Sequence, residues 1–223
     1  MNTKELVKRE EMLLNDWAKV CPGMVKDGIV NVDEYLKAQY KILFLLKEVN
    51  GGKDWDLREF LRKGGRKQTW NNVARWVKGI LTLEKDISCD ELENITDDER
   101  KEMLQKIASV NVKKVSGSYT SISSEIKDAA RENALRLRKQ IDLYDPDILI
   151  CGGTEGRYFD EISEYEPKWE MTSRGIWYVV EPTERIVISY AHPEARVKDC
   201  LLYYGIVDAV REIVKARNLH ICL

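Results

Sequence analysis

The chain has 223 residues, of which 43% are hydrophobic and 33% charged. That length suits one globular domain, and the ordinary apolar share excludes a largely disordered chain. With 36 Lys and Arg against 38 Asp and Glu, the formal net charge of -2 excludes a uniformly basic coat for polyanions but not a local basic patch.

Residues 3–18 predict an opening helix, with Leu6, Met12, Leu13 and Trp17 on or near one face. A short helix is expected from Val32 to Gln39, which makes residues 1–40 a helical extension packed on the remainder. Lys41 to Lys47 is an almost continuous apolar run, as suits a strand buried on both faces. It ends in the loop signal Glu48-Val49-Asn50-Gly51-Gly52. Helices are expected over 56–62 and 68–82, split by Gly64-Gly65. Thr96-Asp97-Asp98-Glu99 fits a capping box that opens a helix to about Ile107. Ala108 to Val112 predicts a second strand, and Ser116 to Ser121 a loop.

The clearest helix follows. Ile126, Ala130, Ala134, Leu137, Ile141 and Tyr144 recur at spacings of three and four, and the pattern stops before Asp145-Pro146. Asp147 to Cys151 predicts a third buried strand, closed by Gly152-Gly153, with a helix from Glu155 to Ile162 after it. Two more strands are expected at Ile176–Val180 and Arg185–Ser189, joined by a turn with Pro182. A final helix is expected from about Ala195 to Ala216. Strands alternating with helices predict an α/β fold in one domain over 1–223, a three-layer αβα sandwich around a central, mostly parallel, four-stranded sheet. Ligands of such sheets sit beyond the carboxyl ends of the strands. That points to the loops 48–54, 111–120, 151–156 and 190–198.

The five cysteines, Cys21, Cys89, Cys151, Cys200 and Cys222, form no Cys-x-x-Cys pair. A disulfide scaffold and a structural zinc or iron–sulfur site are not expected, nor any other metal or cofactor. The charged segment from Met1 to Asn15 has no signal-peptide core, and no apolar run approaches the roughly 20 residues of a membrane span. A cytoplasmic protein without membrane contact is expected.

The four loops carry a resemblance. A strand leads into Lys47-Glu48-Val49-Asn50-Gly51, and another into Val110-Asn111-Val112-Lys113-Lys114. A long helix with Lys139-Gln140-Ile141 leads into the strand Pro146-Asp147-Ile148-Leu149-Ile150. The last strand ends in Tyr190-Ala191-His192-Pro193. Over about 40 to 217, this ordered set resembles the uracil-DNA glycosylase superfamily, nearest in pattern to its iron–sulfur branch. The chain departs from that branch at several positions. Lys47 stands at its first glycine, Asn50 at its proline, Val115 at a cluster cysteine, and Glu194 at the small residue after His-Pro.

The resemblance implies a sheet of the uracil-DNA glycosylase kind, and a monomer that flips a uracil or related deaminated base out of DNA and hydrolyses its N-glycosidic bond. Such a reaction expels a base anion and leaves an oxocarbenium-like sugar. Asn111 is then the base reader, because a carboxamide matches the adjacent N3–H and O4 of uracil. An asparagine bonded to neighbouring backbone at a strand end is the plainer alternative. His192 would aim a ring N–H at the leaving base. Glu48 would orient water or offset the sugar's charge, with Asn50 as a substitute if the loop is shifted. Val49 occupies the place where other branches carry Asp or Asn, and an alkyl group neither carries charge nor bonds water. Trp70 is the first choice for a plate stacking on the base. Arg66, Lys67, Lys113, Lys114, Arg196 and Lys198 would track the nucleic-acid backbone.

Two other functions remain open at this point. One is a catalytically silent member that binds nucleic acid or a modified base. The other is an unrelated α/β enzyme that holds a nucleotide near Gly152-Gly153-Thr154.

Overall fold

A computed structural model describes residues 1–118, 120–154 and 156–217. In chain order the elements are α1 (Thr3–Ala18), β1 (Gly28–Ile29), α2 (Val32–Lys37), β2 (Ile42–Leu46), α3 (Leu57–Arg62) and α4 (Lys67–Ile80). Then come α5 (Cys89–Glu93), α6 (Asp97–Gln105), β3 (Ile107–Asn111), α7 (Ser123–Tyr144), β4 (Ile148–Gly152) and α8 (Arg157–Ile162). The chain closes with β5 (Glu170–Met171), β6 (Trp177–Val180), β7 (Ile186–Tyr190) and α9 (Asp199–Ala216).

Local chemistry sets several of these boundaries. Asn2 and Asn31 cap α1 and α2 by accepting from main-chain N–H groups of the first turn. Thr96 and Glu99 close a reciprocal capping box at the start of α6. Asp145 ends α7 in the left-handed region at φ 46°, and Pro146 prevents continuation.

The sheet has seven strands, in the order β1-β3-β2-β4-β7-β6-β5, and not the expected four. The four central strands, β3-β2-β4-β7, run parallel. β1, β6 and β5 extend the sheet antiparallel on both sides. The two short strands β1 and β5 had no pattern long enough to read. The Pro182 turn joins β6 and β7 as a hairpin, so that pair cannot be parallel.

Alternate residues of the central strands feed two cores. Ile42, Phe44, Leu46, Ile148, Ile150, Ile186 and Ile188 face α3, α4 and α9. Leu43, Leu45, Ala108, Val110, Leu149, Cys151 and Val187 face α1, α7 and α8. The result is three layers, with helices on both faces. The first 40 residues are part of this body, since Leu6, Leu14 and Trp17 lie in the second core and β1 pairs with β3.

Helix α9 starts at Asp199, later than expected, because its first residues are held in a loop by α4. Asn72 Nδ2 donates to Pro193 O at 2.8 Å and to Asp199 Oδ1 at 3.0 Å, and Arg75 Nη1 donates to Asp199 Oδ2 at 2.9 Å. Among the described residues, no helix is long and apolar enough to cross a membrane. The expectations for Glu155, Tyr119, His220 and Cys222 lie outside the described residues.

Candidate functional site

The four parallel strands point the same way, so the loops after β2, β3, β4 and β7 share one edge. The chain leaves β2 toward the face that carries α3 and α4, and leaves β4 toward the face that carries α8. The two connections part company between β2 and β4, and in α/β sheets such a divergence is where ligands bind, beyond the carboxyl ends of the strands.

Glu48 lies two residues past β2 with its side chain 4% exposed. Its Oε2 is 3.0 Å from Lys113 Nζ but makes no hydrogen bond. Lys113 donates its hydrogen bond to Glu125 Oε2 at 2.7 Å. Burial opposes the Lys113 charge, yet the Glu125 and Glu48 carboxylates together hold its pKa above the ordinary lysine range. The loops after β2 and β3 are laced by Val112 N to Leu46 O, Lys113 N to Lys47 O and Gly117 N to Val49 O, at 2.9, 2.9 and 3.0 Å.

Gly117 is the residue that lets this loop close over Glu48. A Cβ at that position would overlap the Glu48 carboxyl group. Gly117→Ala is therefore expected to cost about 1–3 kcal/mol of stability, by overpacking. Adding Glu48→Ala should recover most of that loss. Denaturant unfolding of the two single variants and the double variant measures the coupling, and simple additivity would refute the contact.

His192 lies two residues past β7 and packs its Cβ and ring edge against Gly153. The Glu194 N–H donates to His192 Nδ1 at 3.0 Å. Nδ1 is thus an acceptor, and the neutral ring carries its proton on Nε2. The ring keeps an exposed face, but the protein around it disfavours the charged form and lowers its pKa below 6.5. Glu194 opposes that shift, while Lys47 and Arg66 reinforce it.

The folded state therefore prefers the neutral ring, and the unfolded chain takes up the proton first. This contribution to stability is present above pH 6.5 and is lost as the pH falls. An NMR titration should place the His192 midpoint below 6.5, higher in Lys47→Met and lower in Glu194→Gln. A midpoint unmoved by both changes would refute the charge assignment.

The His192 loop is held from α4. Arg66 and Thr69 both donate to the Glu194 carboxylate, and together they hold its pKa below the ordinary range against the effect of burial. Asn72 and Arg75 clamp Pro193 and Asp199, and Arg75 also donates to Leu92 O at 2.7 Å. These two clamping residues were missed in the sequence. They stand three apart inside the buried stripe Trp70, Val73, Trp76 and Val77, and polar residues in such a stripe were the available signal.

Several expected site residues are placed otherwise. Asn111 is 2% exposed, and its main-chain N–H and Nδ2 both donate to Asp27 Oδ2, at 2.7 and 3.3 Å. It is engaged at the strand end, with Nδ2 turned to the Asp27 carboxylate. Lys114 is corrected from a backbone-tracking lysine to an interior one, because its side chain is fully buried. Its three ammonium protons meet Asp27 Oδ1 at 2.6 Å, Asp27 Oδ2 at 2.9 Å and Gln140 Oε1 at 2.8 Å. Trp70 is corrected from a stacking plate to a core residue, since it is 5% exposed and covered by Gly65 and its neighbours. Val49 is half-buried against the same core, and Asn50 is exposed beside Gly117.

The expected basic residues are mostly answered by acids. Arg66 pairs with Glu194, Lys67 with Asp97 at 2.9 Å, Lys113 with Glu48 and Glu125, and Lys198 with Glu93 at 3.7 Å. Arg196 is exposed with no ion pair among the described residues. The described residues contain no group of three or more His, Cys, Asp or Glu placed to hold a metal ion. A cleft of about 330 Å³ between α1 and α3 is lined by Glu10, Glu11, Asp56, Arg58 and Arg62. Its central charge, Arg58, is already bonded to Glu10, Glu11 and Asp56. The chain matches no protein-family model and no curated protein.

Proposed function

We propose that the crevice at the ends of β2, β4 and β7 receives an extruded base of DNA and that the protein hydrolyses its N-glycosidic bond. Uracil or a related deaminated base is the substrate on this reading. The observation that carries it is the neutral His192, with its proton on Nε2, on the same sheet edge as the buried Glu48 carboxylate. The two residues extend strands that stand two places apart, about 10 Å, with the Gly152-Gly153 turn between them. That span leaves room for a base and its sugar.

In this mechanism the departing base gathers negative charge as the bond to C1′ stretches. The His192 Nε2–H faces that charge and stabilises it more in the transition state than in the ground state. The Glu48 carboxylate offsets the positive charge developing on the sugar. Burial, helped by Lys47 and Arg66, keeps His192 neutral, so that Nδ1 stays free to accept from Glu194 and the loop holds its shape. With Asn111 bonded to Asp27, selection among bases falls to other groups of the crevice, and the base range should be broad.

The second reading is a catalytically silent protein that binds nucleic acid or a modified base. It is favoured by the engagement of Asn111 and by the apolar Val49 in the place of a water-binding residue. The two readings separate in one experiment. Labelled single- and double-stranded oligonucleotides holding one uracil, hypoxanthine or xanthine are incubated with the protein and then treated with alkali. Strand breaks at the modified position support hydrolysis. Salt-sensitive binding without breaks supports the silent reading. Neither breaks nor binding at low salt removes both.

A further inference from the structure

Cys89 and Cys200 are remote in sequence and meet in the fold. Cys89 is the first residue of α5, Cys200 is the second of α9, and α5 packs on α9. Cys200 is the neighbour that acts most strongly on the Cys89 thiol, both are free, and Cys89 Sγ donates to Glu93 Oε1 at 3.8 Å. Cys89 is half-buried, while Cys200 is 5% exposed. Two ties hold α5 in register. Tyr204 Oη donates to Ile87 O at 2.9 Å just before it, and Arg75 Nε donates to Leu92 O near its end. Lys198 stands 3.7 Å from the Glu93 carboxylate, and its ammonium favours the thiolate of Cys89.

We propose that Cys89 and Cys200 form an oxidative modification site at which hydrogen peroxide converts the two thiols into an intramolecular disulfide. Cys89, the more accessible sulfur, loses its proton and attacks the peroxide. The O–O bond breaks, water leaves, and Cys89 becomes a sulfenic acid. The Cys200 sulfur then attacks that sulfur, gives up its proton, and releases the oxygen as a second water. The two thiols lose two electrons and two protons, and the peroxide is reduced to water.

The environment sets the pace of the first step. The neighbouring Cys200 and partial burial hold the Cys89 thiol above its ordinary range, and the Lys198 ammonium works against them. The reaction is therefore slow at neutral pH and accelerates as the solution becomes alkaline. The bond would fasten α5 to the start of α9, next to Asp199. Asp199 accepts from Asn72 and Arg75, which also hold the His192 loop.

The test uses the whole chain and hydrogen peroxide, followed by alkylation, digestion and mass spectrometry. The expected result is a Cys89–Cys200 linked peptide and the loss of two of the five thiols, reversed by dithiothreitol. Because the link closes a long loop of the unfolded chain, the oxidised protein should melt about 5–10 °C higher. Cys89→Ser and Cys200→Ser should each abolish the linked peptide and the shift. The proposal is overturned if both thiols remain alkylatable at alkaline pH with excess peroxide. It is also overturned if either cysteine pairs elsewhere, or if Cys89 passes to the sulfinic acid with no link to Cys200.

Discussion

Lys114→Met is expected to lower the free energy of unfolding by about 3–5 kcal/mol, because it strands the Asp27 carboxylate in the interior without a counter-charge. Both side chains are fully buried. Burial lowers the pKa of Lys114 and Asp27 opposes that shift, so the ammonium depends on its partner. The pair belongs to a longer network. Gln140 accepts from Lys114, and its Nε2 donates to Asp27 Oδ1 and to the Tyr144 hydroxyl, both at 3.0 Å. Glu10 accepts from Ile29 N at 3.0 Å and from Arg58 Nη1 at 2.8 Å. Gly28, at φ 139°, lets the chain pass close by, since a Cβ there would strike both the Tyr144 hydroxyl and Glu10.

Denaturant melts of Lys114→Met, Asp27→Asn and the double variant check this prediction. The double variant should recover part of the loss, because replacing both charges leaves no bare ion. A lysine that tracked phosphates would behave differently. Its removal would spare stability and reduce the salt dependence of binding by about one unit of slope. Unchanged stability in Lys114→Met would therefore reinstate the phosphate-contact assignment and refute the buried one.

His192→Ala is expected to slow base release about 10²–10³-fold, the usual cost of removing one preorganised donor to a developing anion. The thermal midpoint should move little, because the ring is exposed and the loop remains held through Pro193, Glu194 and Asp199. Acid should mimic the variant in part. A proton arriving on Nδ1 removes the acceptor for the Glu194 N–H, so the wild-type rate should fall at pH values below the His192 midpoint. Single-turnover rates with the best substrate oligonucleotide, measured across pH 5 to 8 for both proteins, test this. A His192→Ala rate equal to wild type would move the chemistry away from this crevice.

Much of the fold is legible in the sequence. The buried runs at 42–46 and 148–152 were readable because a strand covered on both faces must be apolar at nearly every position. Helix α7 was readable from its period, and its end from Asp145-Pro146. The shared edge for Glu48 and His192 followed from alternation alone, since parallel strands joined by crossovers place all their following loops on one side. The seventh-strand extent of the sheet was not legible. β1 and β5 are two residues each, too short to carry a period of two, and they exist because β3 and β6 offer them unpaired edges.

The sequence by itself determined the layered α/β body, the order of its strands along the chain, and which loops share an edge, because these depend on local hydrophobic periodicity and on the handedness of crossovers. Only the tertiary structure decided what the individual polar residues do. Lys113 and Lys114 are neighbours in the chain, yet one joins Glu48 and Glu125 at the rim and the other is sealed against Asp27. Asn111 reads as a ligand-binding amide until Asp27, remote in sequence, takes its N–H groups. Trp70 could be a plate or a core residue until Gly65 folds over it. A charge or an amide has no fixed role in a sequence, because its partner is chosen by long-range packing, and a carboxylate remote in the chain decides whether it meets solvent, a ligand or the interior.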